Sequence, residues 1–135
     1  MYKTILVPVS FDEERDLDTA IAVAQTLAAP DAQITFLHVI ELMPAYVAEV
    51  IPPEMYPDRR KSAETRTREI ASAVEGAHAA VVDGPAGRTI TTWARDNDAD
   101  LIVVASHRPE MADIFLGSTA AWVVRHAPCS VHVVR

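Results

Sequence analysis

The residues best placed to do chemistry lie between Ala105 and Thr119. The apolar run Leu101-Ile102-Val103-Val104 ends in Ala105-Ser106-His107-Arg108-Pro109, a small, polar and basic segment, and twelve residues after Ala105 comes Gly117-Ser118-Thr119. Such a run is expected to be a buried parallel strand that delivers its last residues into a crevice. Gly117 and Ser118 stand directly before the stretch Thr119-Ala120-Ala121-Trp122-Val123-Val124, where a helix is expected to begin with a capping hydroxyl. The first N–H groups of a helix have no partner inside it, and the macrodipole adds partial positive charge, so the start binds anions, phosphate above all. Arg108 can add a charge-assisted contact. No nucleophile with an oriented base accompanies these residues. The chemistry they offer is therefore binding rather than catalysis.

The elements that must position this segment follow from hydrophobic patterning. Residues 3–9 (KTILVPV), 33–40 (QITFLHVI), 77–82, 100–104 and 129–134 are short, apolar and rich in β-branched residues, as covered strands are. Helices are expected over 13–29, with Leu17, Ile21, Ala24, Leu27 and Ala28 at helical spacing, over 58–74, around Ile90, Trp93 and Ala94, and from Ser118. Pro30-Asp31 is expected to separate the first helix from the second strand. Strands alternating with helices specify an α/β fold, a doubly wound five-stranded parallel sheet with helices on both faces. The expected strand order is 3-2-1-4-5. Its winding reverses between the first and fourth strands, so Ser10 and residues 105–109 meet at the switch-point crevice.

A chain of 135 residues, half of them apolar, buries one core, and a single domain over 1–135 is expected. No apolar stretch is long enough for a membrane span, and Met1-Tyr2-Lys3-Thr4 leads straight into a strand, which points to a cytoplasmic protein. The net charge of −7 argues against nucleic acid as a partner. Arg108, Arg125 and Arg135 against Glu110 and Asp113 give +1 after residue 104, leaving −8 before it. Cys129 in an apolar setting is expected to be an inert thiol.

Other candidates have plainer explanations. Asp12, Glu13, Glu14 and Asp16 load the first turn of a helix, where acids are expected from the dipole alone. His38 has no companion at metal-ligand spacing and is read as a core residue. Gly84-Pro85-Ala86-Gly87 lacks the Lys-Ser/Thr ending of a phosphate loop and is read as strand-to-helix punctuation. The acids of Asp96-Asn97-Asp98-Ala99-Asp100 suit a turn. Arg59, Arg60, Lys61, Arg66 and Arg68 interleave with Glu64, Glu69 and Glu75 as a solvated helix face. The segment 43–57, with four prolines, is apolar enough to need cover, as a lid, a dimer contact or packing on its own domain. Asp12 and Asp83 suggest a phosphoryl-accepting receiver domain, but the last strand ends the sequence without the lysine such a site requires.

Ser106-His107-Arg108-Pro109, Leu116-Gly117-Ser118, Val124-Arg125-His126-Ala127 and Cys129-Ser130-Val131, with the opening Thr4-Ile5-Leu6-Val7-Pro8-Val9, resemble the universal stress protein family, especially its small single-domain F- and G-type members. That family's nucleotide loop carries two spaced glycines before a Gly-Ser or Gly-Thr pair. Here Ala105 and Arg108 replace the spaced glycines, and Ser10 replaces the usual acid after the first strand. The resemblance implies a Rossmann-like fold of the adenine nucleotide alpha hydrolase-like kind, and an ATP-binding regulatory or stress-response module, with Mg2+ accompanying the nucleotide. It places Pro8, Val9, Ser10 and Val39 at the base, Ala105, Ser106, His107 and Arg108 beside the ribose or phosphates, and Gly117, Ser118 and Thr119 on the phosphates. It implies no catalytic residue, and at most weak ATP hydrolysis or autophosphorylation. It also implies a homodimer through the last strand, with Val131, His132 and Val133 at the interface. That strand carries neither the proline nor the lysine that guards an edge. The alternative is a dimer of the same fold that binds an unidentified protein partner and no nucleotide.

Overall fold

The computed structural model describes residues 1–11, 14–41, 45–50, 52, 54–106 and 116–135. Its elements run β1 (Tyr2–Pro8), α1 (Glu14–Leu27), β2 (Ala28–Ile40), α2 (Ala45–Ala48), α3 (Met55–Ser72), β3 (His78–Asp83), α4 (Ala86–Asp96), β4 (Leu101–Ala105), α5 (Ser118–His126) and β5 (Ser130–Val134). The five strands form one parallel sheet in the order β3-β2-β1-β4-β5, as the patterning predicts.

Strand alternation divides the core into two layers. Ile5, Val7, Phe36, Leu101 and Val103 face α1 and α3, where they meet Ala20, Ala24 and Ala71. Leu6, Leu37, Ile102 and Val104 face α4 and α5 and meet Ile90, Ala94, Ala120 and Val123. Each large side chain buried this way contributes about 1.5–3 kcal/mol, so the middle of the sheet is the rigid part of the molecule. The Asp100 carboxylate, at the start of β4, accepts the N–H groups of Lys3 at 2.9 Å and Thr4 at 3.0 Å, which fixes the register of the two strands flanking the switch point.

Several expectations need correction. Pro30-Asp31 does not stop the chain before β2, because the strand starts at Ala28 and runs through both residues. Between the pairs Tyr2↔Ala28 and Thr4↔Gln33, β1 advances two residues and β2 five. The surplus forms an irregularity that holds an exposed proline where no ladder N–H is required. It also ends α1 at Leu27, short of the expected residue 29. The third helix begins at Met55 and ends at Ser72, and the segment 43–57 contains the short helix α2, with Tyr46 and Val50 exposed. Nor is the charged face of α3 simply solvated. Arg60 donates to Glu64 at 3.1 Å, to Asp83 at 2.9 Å and to the Val81 carbonyl at 3.1 Å, while Arg66 lies over the Phe11 ring. Asp83, the receiver-type candidate, is thereby an ion-pair partner on an edge strand, and Asp12 lies outside the described residues.

Gly84 turns out of β3 at φ +143°, a conformation that favours glycine. Gly87 has a different reason. A Cβ there would sit 2.7 Å from the Trp122 side chain, so close packing of α4 on α5 needs its absence. Alanine gains up to about 1 kcal/mol in helix propensity, whereas overpacking costs about 1–3 kcal/mol. Gly87→Ala is therefore expected to lose about 1 kcal/mol net, measurable by urea denaturation. Burial, and secondarily the Asp100 charge, pushes the Cys129 thiol up from its usual range. A raised value means less thiolate at neutral pH, so iodoacetamide should alkylate native Cys129 more slowly than the same residue in urea-unfolded protein.

Candidate functional site

At the C-terminal ends of the strands a cavity of about 370 Å³ opens at the switch point between β1 and β4. Its walls come from both layers. Leu17 and Ala20 of α1, with His38 and Arg59, stand on one side, and Ala86 and Ile90 of α4, with Thr119 and Ala120 of α5, on the other. Pro8, Val9, Ser10, Val39, Val104, Ala105, Ser106 and Gly117 complete the lining. The volume, and a wall shared almost equally between polar and apolar surface, suit a small organic ligand that carries polar groups of its own.

His38 shapes the base of this cavity. The ladder between β1 and β2 ends at Pro8↔Leu37, followed by one further bond from the Val9 N–H to the Leu37 carbonyl at 2.8 Å. The Val9 carbonyl would next meet Val39, but instead it lies 3.0 Å from His38 Nδ1, the imidazole N–H donating in that tautomer. The ring is stacked on Phe11, with centroids 4.0 Å apart. Backbone groups of alternate residues point the same way along a strand. The Leu37 carbonyl faces β1 and the Ile40 carbonyl accepts Gly84 N–H from the β3 side, so the N–H and C=O of Val39 face the crevice beyond the last rung. They present a donor and an acceptor side by side, complementary to the edge of a nucleobase.

The other end of the cavity is the start of α5. Its N-cap is Gly117, with no side-chain cap bond, and Ser118 is the first helical residue, so the expected capping hydroxyl of Ser118 is corrected. The Gly117 N–H donates instead to Ser106 Oγ at 2.9 Å, and the Ser106 N–H donates to the Val134 carbonyl at 2.8 Å. Ser106, buried, ties the tip of β4, the end of β5 and the helix start together. Gly117 has φ −62°, open to any residue, so glycine is not needed there for a turn. It is part of the cavity lining.

Pro8, Val9, Ser10, Val39, Ala105, Ser106, Gly117 and Thr119 thus converge on one cavity, whereas Ser118 is exposed and off its lining. His107 and Arg108 lie outside the described residues. Sequence reasoning assigned His38 to the core and missed Arg59, Ala86 and Glu41. Only the position of Glu41 just past the second strand could have signalled its role. Its Oε1 accepts the Ala86 N–H at 3.3 Å, so a carboxylate occupies the start of α4, whose N-cap Pro85 makes no side-chain bond. Among the described residues no group of three or more metal-ligating side chains occurs, and no helix is long and apolar enough to cross a membrane.

A doubly wound parallel sheet with its cavity at the switch point defines a Rossmann-like domain. The model of the Universal stress protein family matches residues 1–135, and the chain belongs to that family. Universal stress protein G of Salmonella typhimurium is 33% identical, over all of both chains. A universal stress protein solved in complex with cAMP is 22% identical, with a TM-score of 0.68 over 99% of this chain and 97% of that one. One from Arabidopsis thaliana with AMP bound is 19% identical, with a TM-score of 0.62 over 98% of this chain and 90% of that one.

Proposed function

We propose that the chain is a homodimeric regulatory module that binds an adenine nucleotide in the switch-point cavity. The observation that carries this reading is the pairing of the Val39 backbone edge at one end with the α5 start at the other, across a cavity of about 370 Å³. In this arrangement the base meets Val39, the ribose crosses Ser10 and Ala105, and a phosphate meets the N–H groups at the start of α5. The cAMP and AMP in the two related structures support the ligand class. ATP with Mg2+, which the sequence resemblance suggests, belongs to the same class. Released-ligand mass spectrometry and calorimetry test the reading. A nucleotide carried through purification, or saturable binding of AMP or ATP, is expected, and no binding of either at millimolar concentration would sink it.

Dimerisation is proposed through β5 because the two sheet edges differ. On β3, the outward carbonyl of Val81 is taken by Arg60, which blocks an incoming strand. β5 carries no such guard in its sequence. The interaction-module alternative draws on Ala105, whose methyl group lies in the cavity lining where the family signature has glycine. The same calorimetry separates the two.

A further inference from the structure

Resting on the adenine-nucleotide reading, we propose that Arg66, Phe11 and His38 form a stack that positions the base, by keeping the ladder between β1 and β2 one rung short so that the Val39 edge stays open. In a parallel pair each residue of one strand bridges two alternate residues of its neighbour. Val9, whose N–H donates to the Leu37 carbonyl at 2.8 Å, would therefore next accept the Val39 N–H. Among the described residues that second bond is absent. The Val9 carbonyl lies instead 3.0 Å from His38 Nδ1. A side chain from the residue beside Val39 has thus taken the acceptor that Val39 would otherwise use. A backbone acceptor shielded from water is costly to leave without a donor. Without the imidazole, the donor next in register, the Val39 N–H, would be drawn to Val9 and lost to the base.

The imidazole is itself held in place. Phe11, which follows β1, stacks on it with centroids 4.0 Å apart and 14° between the planes, and the Arg66 guanidinium of α3 lies 4.1 Å over the same Phe11 ring. Two groups so close to one centroid cannot share a face of the ring. The order is therefore Arg66, Phe11, His38, running from an exposed residue of α3 to the half-buried end of β2. The cation sits on the electron-rich face of the phenyl ring, which is attractive, and the phenyl ring fixes the plane of the imidazole. The stack joins α3, the segment after β1 and the tip of β2, the elements that meet at this end of the cavity. His38 lines the cavity, whereas Phe11 and Arg66 do not. All three are positioning residues, since the contact with the base is made by the Val39 backbone.

Amide hydrogen exchange followed by NMR, and titration calorimetry with adenosine and AMP, test this on the wild type, His38→Leu, His38→Asn and Arg66→Ala. In the ligand-free wild type the Val39 amide is expected to exchange faster than the amides of the β1–β2 ladder. His38→Leu is expected to slow that exchange and to weaken adenosine and AMP alike, by about tenfold, because the lost bond is one to the base. His38→Asn, whose side-chain N–H can donate where Nδ1 does, is expected to restore both. Arg66→Ala is expected to weaken both ligands by about threefold. A wild-type Val39 amide as protected as the ladder amides overturns the open edge. Unchanged affinity in His38→Leu, or a loss that asparagine fails to restore, overturns the role of His38. In Arg66→Ala, a loss for AMP without one for adenosine would show a long-range charge acting on the phosphate, and would overturn the stack. Should His38→Leu fail to fold, the wild-type exchange and the Arg66→Ala titrations still decide. Absence of wild-type binding to both ligands removes the nucleotide reading, and the positioning of the base with it.

Discussion

Gly117→Val is expected to weaken AMP binding at least about tenfold, equivalent to about 1.4 kcal/mol, while leaving the fold intact. Gly117 is buried in the cavity lining at the α5 start and has an extended backbone that valine can adopt without strain. Its N–H would still reach Ser106 Oγ, so the local anchor survives the substitution. What changes is access, because a branched side chain at the N-cap intrudes between the ligand and the N–H groups of the first helical turn. Calorimetry gives the affinity, and circular dichroism with a urea titration checks the fold. Normal AMP affinity in Gly117→Val would place the phosphate elsewhere, and the reading of α5 as the anion position would fail.

The sheet was legible in the sequence because its signals are redundant. The run Leu101-Ile102-Val103-Val104 is apolar at every position because both faces of β4 are covered, and all four residues are buried. Strand order followed from the crossover rule and from where the reversal would place Ser10 and Ala105. Local punctuation was less reliable. Pro30 reads as a terminator because a proline cannot donate to a ladder, yet the pairing irregularity between Tyr2 and Thr4 makes that N–H unnecessary. No pattern in residues 28–33 encodes this, since it depends on a partner strand far away in the chain.

The site divided in the same way. Gly117 and Ser106 were visible because a strand end and a helix start lie close in sequence and serve one crevice. The bond between them was not, and Ser118 reads as a capping residue although no side chain caps α5 and the buried Ser106 instead accepts the Gly117 N–H. His38 looked like a core residue because strand alternation puts its side chain on the α1 layer. Its contribution is to occupy the Val9 carbonyl, which ends the ladder and leaves the Val39 edge to the crevice. Glu41 and Arg59 come from the ends of separate elements, and only the folded topology brings them to one cavity.

Val133→Pro is expected to convert the proposed dimer to monomer at tens of micromolar protein, with little loss of monomer stability. The argument rests on which way the backbone of β5 faces. The Val134 carbonyl accepts the Ser106 N–H from the β4 side, so alternation turns Ser130, His132 and Val134 towards β4. The N–H groups of Val131 and Val133 therefore face the open edge. Proline at 133 removes a donor that pairs with no residue of the same sheet, and its ring obstructs an incoming strand. The Val133 side chain lies partly buried against the α4–α5 layer, where the proline ring keeps part of the apolar contact. In an antiparallel two-fold pairing each such donor would be used in both copies, so one substitution removes two bonds across the axis. Sedimentation velocity gives the assembly state and urea denaturation the stability. A variant that remains dimeric would move the interface away from β5, and a wild type that is monomeric at the same concentration would remove the dimer itself.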